Sequence, residues 1–327
     1  MARKKNVEGE KKEKKEEKNN NLSISHRSPL VVYADAAILI EKARVSAQVR
    51  LTHLSKSNTI CPHTRELLEK AGELEKWIDK SLADFISQHP AYSWFSRVKG
   101  TGGETIGKVL GLIEKFGHFY DVGDPLIPLY VKRCPEMVDI PLNGEVVTKQ
   151  MIWVEAIERF VTPSKLRKYA GLTPDSKQVS NKKLGFNKKL RTMLRRLGMS
   201  FHKQKNKYYY FYLDYKSYLV KRSEREGIKI IPTPKGRYCY SCEEEIKVKD
   251  ARLCPQCGER LGLKEEPDDV KFEGHIHDMA MRRMLQLFLN HLWVEWRSAL
   301  KLPLRDPYPI AYLGHTKIVT PEEMCDN

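Results

Sequence analysis

Four cysteines in two closely spaced pairs constrain this chain more than any other feature. They form the sequences C-Y-S-C at 239–242 and C-P-Q-C at 254–257, with eleven residues between the pairs. Four thiolates in two such turns satisfy the tetrahedral preference of zinc and leave no open position for catalysis. A redox-active C-x-x-C pair is the alternative, which two pairs in one Lys- and Glu-rich segment disfavour. We therefore predict a zinc ribbon with a structural ion held by Cys239, Cys242, Cys254 and Cys257.

The 327-residue chain is basic, and its excess charge is concentrated in one segment. The formal net charge is +16, and the stretch from Lys165 to Arg222 contains seventeen Lys and Arg against two Asp. Ten aromatic residues are interleaved with these cations. Basic residues pair with phosphates and aromatic rings stack on bases, so the segment predicts nucleic-acid binding. The alternative is a solvated face over an aromatic core.

Several classes of protein are disfavoured by the sequence. No apolar run approaches the ~18 residues of a membrane-spanning helix, and the N-terminus lacks the apolar region of a secretion signal. Two C-x-x-C pairs among seven cysteines are typical of a reducing compartment. We expect a cytoplasmic, nucleoid-associated protein without membrane partners.

Hydrophobic periodicity predicts a mainly α fold. Apolar residues recur at helical spacing across 34–89, and the turn residues Ser57-Asn58 and Cys61-Pro62 interrupt them, which indicates an antiparallel helical hairpin. A long apolar helix is expected at 278–299. Each of these helices has one apolar side, so packing against the rest of the chain is expected.

The middle of the chain alternates between loops and short helices in this interpretation. Residues 120–150, which Pro and Gly interrupt, are expected to form a loop with short strands. A helix is predicted next from the spacing of Ile152, Val154, Ile157 and Phe160. A second short helix is predicted to start at Pro163 and to end before Gly171.

The helix predicted at 188–203 is the best candidate to lie along a nucleic-acid backbone. Its buried stripe is predicted to consist of Leu190, Leu194, Leu197 and Phe201. The residues predicted to point away from that stripe are Lys188, Lys189, Arg191, Arg195 and Arg196.

A glycine turn precedes a further predicted helix. The run V-K-G-T-G-G-E-T-I-G at 98–107 has the order of a helix-hairpin-helix motif. Glycines let backbone N–H groups approach a phosphate closely, and the following helix N-terminus adds its positive dipole end. Gly100 and Gly102 are therefore candidate nucleic-acid contacts, although glycine turns between helices are common without that function.

Together these features predict a mainly α protein, with a helical hairpin, a helix-hairpin-helix DNA-binding domain and an inserted zinc ribbon. The predicted divisions are a disordered basic tail at 1–33, the helical hairpin at 34–96, the basic core at 97–229, the ribbon at 230–265 and a C-terminal helix and tail at 266–327.

Taken in order, these blocks resemble a known family. The hairpin and the glycine turn precede S-K-L-R-K-Y-A-G-L-T-P at 164–174, which is followed by a serine-containing turn, K-K-L-R-T-M-L at 188–194 and a late A-x-x-x-M helix. This order resembles the C-terminal transposase domain of the Piv/MooV-type invertases and related insertion-sequence transposases, the group that includes bridge-RNA-guided recombinases. The resemblance covers most of residues 34–300 and is most specific in the Y-A-G-L-T-P block and the helix after it.

The resemblance implies a serine nucleophile for DNA recombination. In the family a serine shortly after the G-L-x-P block attacks the phosphodiester, and the corresponding residue here is Ser180, with Ser176 as the fallback. The family's following glycine is Asn181 in this chain. Without the resemblance, Ser180 would be interpreted as a turn or N-cap serine. The cations expected to stabilise the phosphorane charge are Lys177, Lys182, Lys183 and Arg191.

One departure from the family leaves the activity open. Family members begin with an RNase-H-like domain whose four acidic residues bind metal, and no such constellation can be placed in residues 1–33. Magnesium chemistry would then require an acidic nuclease-domain partner. We expect a DNA-binding transposase or site-specific recombinase acting in DNA transposition. The alternatives are a noncatalytic repressor or accessory subunit and a scaffold for a guide RNA, and the helical hairpin is compatible with a homo-oligomer.

Overall fold

The computed structural model of the chain describes residues 28–59, 61–142, 145–176, 184–233, 237–239, 241–246, 252–259, 261, 266, 268–305 and 318–326. Residues 1–27 of the predicted disordered tail lie outside this part of the chain. Residues 29–33 begin a helix with Leu30 and Val31 buried, so the prediction of disorder up to residue 33 was wrong. The described residues form two compact units. Unit 1 contains the chain up to Asn206 and again from Phe288 onward, and unit 2 contains 207–287.

Unit 1 begins with the predicted helical hairpin. Helix α1 spans Pro29–Lys56 and helix α2 spans Pro62–Ser87. Both start at a proline, whose missing N–H costs nothing in the first helical turn. The ring of Tyr33, near the start of α1, lies 4.9 Å from that of Phe85, near the end of α2. The two helices therefore run antiparallel, which confirms the prediction.

Three glycines at four-residue spacing let the next long helix pack closely on this hairpin. After a single turn, α3 (Tyr92–Phe95), helix α4 spans Gly103–Glu114. A Cβ atom at Gly111 would lie 2.6 Å from the Leu30 carbonyl oxygen, and one at Gly107 would lie 2.8 Å from a side-chain carbon of α2. Helix α4 therefore occupies the centre of unit 1, and its apolar side chains are buried.

A three-stranded antiparallel sheet follows α4. Its strands are β1 (His118–Asp121), β2 (Glu136–Leu142) and β3 (Glu145–Val154), in the order β1-β3-β2. Ile152 and Val154, predicted to be helical, lie in β3, so that prediction was wrong. The backbone of β3 pairs with β1 over its last four residues and with β2 over the rest, which satisfies its hydrogen-bonding groups without a helix.

Three helices complete the chain of unit 1 before Asn206. Helix α5 is only one turn, Ala156–Arg159, and it is followed by α6 (Pro163–Tyr169) and α7 (Lys188–Gln204). Gly171 has a φ of +70°, which suits the residue after a helix end. Asn187 caps α7 by accepting a backbone N–H at 3.0 Å. The predictions for 163–171 and 188–203 are therefore confirmed.

Unit 2 combines helices with two small sheets. Helix α8 leads into a parallel pair, β4 with β7, and an antiparallel pair, β5 with β6. The bounds are α8 (Lys207–Arg225), β4 (Lys229–Ile231), β5 (Arg237–Cys239), β6 (Glu244–Ile246) and β7 (Val270–Phe272).

The last long helix, α9, spans Glu273–Ala299, so it starts five residues before the predicted position. Its C-terminal part belongs to unit 1, where Phe288, Leu292 and Trp293 are fully buried. A short 3₁₀ turn, Glu322–Met324, follows later. None of the described helices combines the length and the apolar character that crossing a membrane requires. The fold is mainly α with small β additions, as predicted.

Candidate metal centre and nucleic-acid interface

The four cysteines predicted to bind zinc lie together in unit 2. Their sulfur atoms are all within 4.8 Å of one another. The Sγ atoms of Cys239 and Cys257 are 3.5 Å apart, and those of Cys242 and Cys254 are 3.9 Å apart. A tetrahedral zinc ion with Zn–S bonds of about 2.3 Å separates its sulfurs by ~3.8 Å. The cluster is therefore compatible with a structural zinc site.

The second cysteine pair is positioned by a tight backbone turn. The Cys254 N–H donates to the Glu259 carbonyl at 2.7 Å, and the Gly258 N–H donates to the Cys254 carbonyl at 2.9 Å. Gly258 has a φ of +74°, which favours glycine. The backbone N–H groups of Cys257 and Gln256 lower the pKa of the Cys254 thiol to about 7. The turn therefore favours the thiolate form of Cys254, which is the form that binds metal.

Helix α7 has an apolar side and a cationic side, and Met199 is an exposed apolar residue among the cations. The predicted stripe of Leu190, Leu194, Leu197 and Phe201 is fully buried, which confirms that prediction. No residue of α7 is acidic. On its opposite side the helix exposes five cations. Four of them, Lys188, Lys189, Arg195 and Arg196, are named the α7 cationic face, and the fifth, Lys203, follows in the last turn.

Two of these cations have carboxylate partners on α1. Lys189 Nζ lies 3.4 Å from Asp35, and Arg196 pairs with Glu41 at 2.5 Å. Each carboxylate is also shared with a second cation: Asp35 pairs with Lys115 at 2.6 Å, and Glu41 pairs with a buried lysine of α4 at 3.3 Å. Because each acid is divided between two cations, the α7 cationic face keeps a net positive charge.

That buried lysine, Lys108, is the centre of a charge cluster that sequence reasoning missed. Only 1% of its side chain is exposed, and Nζ lies 2.6 Å from Glu104, 3.3 Å from Glu41 and 4.0 Å from Asp79. Burial, with the charge of Glu104, raises the pKa of Asp79 to about 6. The four-residue spacing of Glu104 and Lys108 was the available signal. Through Glu41 the cluster connects the helical hairpin to Arg196.

Arg191 differs from the other predicted phosphate contacts of α7. It is half-buried, its guanidinium donates to the Ser176 carbonyl at 3.4 Å, and it lies 5.3 Å from the centre of the Phe186 ring. The Ser176 hydroxyl forms a hydrogen bond with Thr173 Oγ1 at 2.8 Å. Arg191 therefore stabilises the turn that follows α6. Ser176, the second candidate for the nucleophile, is part of that turn.

The predicted nucleophile and its three lysine neighbours lie outside the described residues. They are Ser180, Lys177, Lys182 and Lys183. The roles assigned to them by the family resemblance stay predictions.

The two glycines predicted to contact nucleic acid have different surroundings. Gly100 has a φ of +92°, and its carbonyl accepts the Ser200 hydroxyl of α7 at 2.8 Å. The Lys99 carbonyl beside it accepts Asn206 Nδ2 at 2.6 Å. A Cβ at Gly102 would meet no heavy atom within 4 Å. The turn therefore packs on α7 at Gly100 and is open at Gly102, and the helix before it, α3, is a single turn.

The ten interleaved aromatic residues divide between the core and the surface. Phe201, Tyr208 and Tyr212 are buried, which is the core role of the alternative interpretation. Tyr210 and Tyr218 on α8 are exposed by 55% and 47%. In unit 1 the rings of this segment are buried or half-buried, whereas the four residues of the α7 cationic face are exposed.

Comparison of the chain with models of known families, with curated proteins and with solved structures finds no match. Functional inference therefore depends on the geometry of the described residues and on the family resemblance of the sequence.

Proposed function

We propose that this chain binds the sugar-phosphate backbone of DNA through the α7 cationic face. The observation that carries the proposal is that α7 buries an apolar stripe in unit 1 and exposes the α7 cationic face on its opposite side. Lys188 and Arg196 are eight residues apart, or about 12 Å along a helix. Phosphates repeat roughly every 3.4 Å of duplex axis along one strand, so several can lie beside the face.

The resemblance to the insertion-sequence transposases supports a more specific role in DNA transposition. On that basis Ser180 is the recombination nucleophile, and the zinc ribbon has a structural role. Magnesium enters only if an acidic nuclease-domain partner takes part. If no such partner exists, the same DNA-binding surface belongs to a noncatalytic repressor or accessory subunit.

The DNA-binding proposal is tested by neutralising the face. Replacing Lys188, Lys189, Arg195 and Arg196 by Gln is expected to weaken binding of a 30-base-pair duplex at least about 100-fold at 0.1 M salt. Fluorescence anisotropy gives the affinity, and circular dichroism verifies that both proteins are folded. An affinity within a few-fold of wild type would place the interface elsewhere.

Helix α2 offers a matched control with the same change in net charge. Its exposed cations Arg65, Lys70, Lys76 and Lys80 can be replaced by Gln together. We expect this variant to bind DNA within about threefold of wild type, because nonlocal charges beyond a Debye length of about 10 Å are screened. An equal loss in both variants would show that net charge alone attracts DNA.

The nucleophile proposal has a separate test. Ser180→Ala is expected to abolish any covalent adduct between the protein and DNA while leaving the affinity unchanged, and Ser176→Ala is expected to preserve the adduct. Denaturing gel electrophoresis of labelled DNA measures the adduct. Persistence of the adduct in Ser180→Ala would reject that role.

An RNA-binding scaffold is the second candidate, and the exposed rings of Tyr210 and Tyr218 favour it. Competition between duplex DNA and a structured RNA of equal length at fixed salt separates the two candidates. Preference for the duplex supports the first proposal, and strong preference for the RNA supports the second.

A further inference from the structure

Two carboxylates of α1, those of Asp35 and Glu41, lie against the α7 cationic face. Each is placed between two cations, one of which belongs to α7. The α7 cation is Lys189 for Asp35 and Arg196 for Glu41. The two acids are six residues apart, or about 9 Å along a helix. Helix α1 therefore presents a short row of two negative charges to the cations that are proposed to bind DNA.

The two cations beside each carboxylate differ in their exposure to solvent. On the α7 side, 55% of the Lys189 side chain and 49% of the Arg196 side chain are exposed. On the other side, Lys115, which directly follows α4, is 30% exposed, and Lys108 is 1% exposed. The α7 cation of each pair is therefore the one that an approaching DNA strand reaches more easily.

Glu41 is ionised at neutral pH although it is mostly buried. Burial raises its pKa, but the hydrogen bond from Arg196 and the charge of Lys108 outweigh burial and hold the pKa below its usual value. Burial likewise lowers the pKa of Lys108, but its hydrogen bond to Glu104 and the charges of the surrounding acids raise the pKa above its usual value. A full negative charge therefore lies between two full positive charges at Glu41.

The ion pairs between α1 and α7 are not needed to hold α7 in place. The helix is anchored in unit 1 by its fully buried apolar stripe, and partly exposed ion pairs contribute little to stability. Their larger effect is on binding, because Glu41 accepts the hydrogen bond that Arg196 Nη1 would otherwise donate to a phosphate oxygen. Asp35 does the same for Lys189 Nζ at 3.4 Å.

We propose that Asp35 and Glu41 compete with DNA phosphates for the cations of the α7 cationic face and thereby limit its affinity for DNA, a role that depends on the proposed function of this face. A phosphate has to displace the carboxylate from Lys189 or Arg196, or share the cation with it. Phosphate contacts carry no sequence information, so the competition weakens binding to every DNA sequence. The two acids are therefore specific determinants of how tightly this surface binds the DNA backbone.

Asp35→Asn and Glu41→Gln remove the charges and keep the size of the side chains. Each is expected to tighten binding of the 30-base-pair duplex about three- to fivefold at 0.1 M salt, and the double variant about tenfold. The slope of log K against log salt concentration should be steeper in the double variant by up to about 1.8, because two cations are released. Structural damage would weaken binding instead. Unchanged or weaker binding by both folded single variants would overturn the proposal.

A control in α2 makes the same change in net charge as the double variant. Glu66→Gln together with Glu69→Gln removes two exposed carboxylates and releases Lys70, which pairs with Glu66 at 2.7 Å. These residues lie near the start of α2, whereas the start of α1 packs beside the end of α2. We expect the control to bind DNA within about twofold of wild type. A tenfold gain in the control would attribute the effect to net charge and reject the proposal.

A double-mutant cycle isolates the competition at Glu41. In an Arg196→Gln background, Glu41→Gln is expected to change the affinity less than about twofold, because its α7 cation is gone and Lys108 is buried. A full three- to fivefold gain in that background would reject the competition. Wild-type affinity in the variant with Gln at all four positions of the α7 cationic face would reject the interface itself. Loss of affinity in that variant, without a gain in Asp35→Asn or Glu41→Gln, would reject the competition alone.

Discussion

The two units of this protein are stabilised in different ways. Unit 1 has a large apolar core in which α4 packs closely on the helical hairpin and α9 contributes fully buried rings. The ribbon of unit 2 has a small cluster, in which two of the four buried members, Cys239 and Cys254, are themselves metal-ligand candidates. A small module with so few apolar contacts needs a metal or disulfides to fold. Shape complementarity should therefore determine the stability of unit 1, and metal should determine that of the ribbon.

Removing the metal should have the largest effect and should be confined to the ribbon. Structural zinc contributes about 10–16 kcal/mol in small zinc modules, so Cys254→Ser or a strong chelator is expected to unfold the ribbon. Metal analysis should show about one zinc per chain in the wild type and well below one in the variant. Hydrogen exchange should increase over 237–261 while amides of α4 stay protected. Full zinc retention in Cys254→Ser would contradict a four-thiolate site.

A substitution at Gly111 should have the complementary effect on unit 1. The added Cβ of Gly111→Ala would lie 2.5 Å from Ala34 Cβ and 2.6 Å from the Leu30 carbonyl oxygen. Neither atom is at the end of a flexible side chain, so we expect a loss of about 3 kcal/mol in the free energy of unfolding. Urea denaturation measures this loss, and zinc content should stay near one.

Gly102→Ala is the matched control for Gly111→Ala. Its added Cβ meets no heavy atom within 4 Å, and its φ of −52° suits any residue. We expect a change below about 1 kcal/mol. A large loss of stability in both variants would show that the close packing of α4 does not explain the effect of Gly111→Ala.

A smaller and pH-dependent effect is expected at Glu114. Burial, with the charge of Glu155 adding to it, raises the pKa of Glu114 to about 7. Between pH 4.5 and pH 7 the folded protein therefore keeps a proton on Glu114 that the unfolded chain releases. The contribution of this carboxyl to the free energy of unfolding is full below pH 4.5 and is lost as pH rises through 7. Glu114→Gln removes the titrating group. Compared with wild type, the free energy of unfolding of this variant should therefore increase by up to about 3 kcal/mol between pH 5 and pH 8. The opposite pH trend would contradict a buried, neutral carboxyl.

Sequence reasoning succeeded where a pattern depends on local spacing. The cysteine pairs and the apolar stripe of α7 each lie within a short run of chain, and their geometry follows from turn and helix periodicity. The same logic failed at Ile152 and Val154. Residues 146–150 of β3 are all exposed, so this half of the strand lacks the alternation of a half-buried strand. The Asn-Gly pair at 143–144 was the missed hairpin signal.

A cavity in unit 1, lined by several separate segments, could not be predicted from the sequence for a different reason. Ser28, His89, Glu114, Trp153 and Trp296 come from five separate segments, and no spacing relates them. The role of the aromatic residues was equally hidden, because a buried tyrosine and a stacking tyrosine have the same local pattern. Tertiary packing determines both the cavity lining and the burial of the aromatic residues, and it is visible only in the folded structure.

The salt dependence of DNA binding tests the central claim most directly. Each phosphate contact contributes about 0.9 to the slope of log K against log salt concentration. The variant with Gln at Lys188, Lys189, Arg195 and Arg196 should therefore have a slope shallower than wild type by up to about 3.6, whereas the α2 control should match wild type. A shallower slope in the α7 variant alone would support the interface. Identical slopes in all three proteins would contradict it.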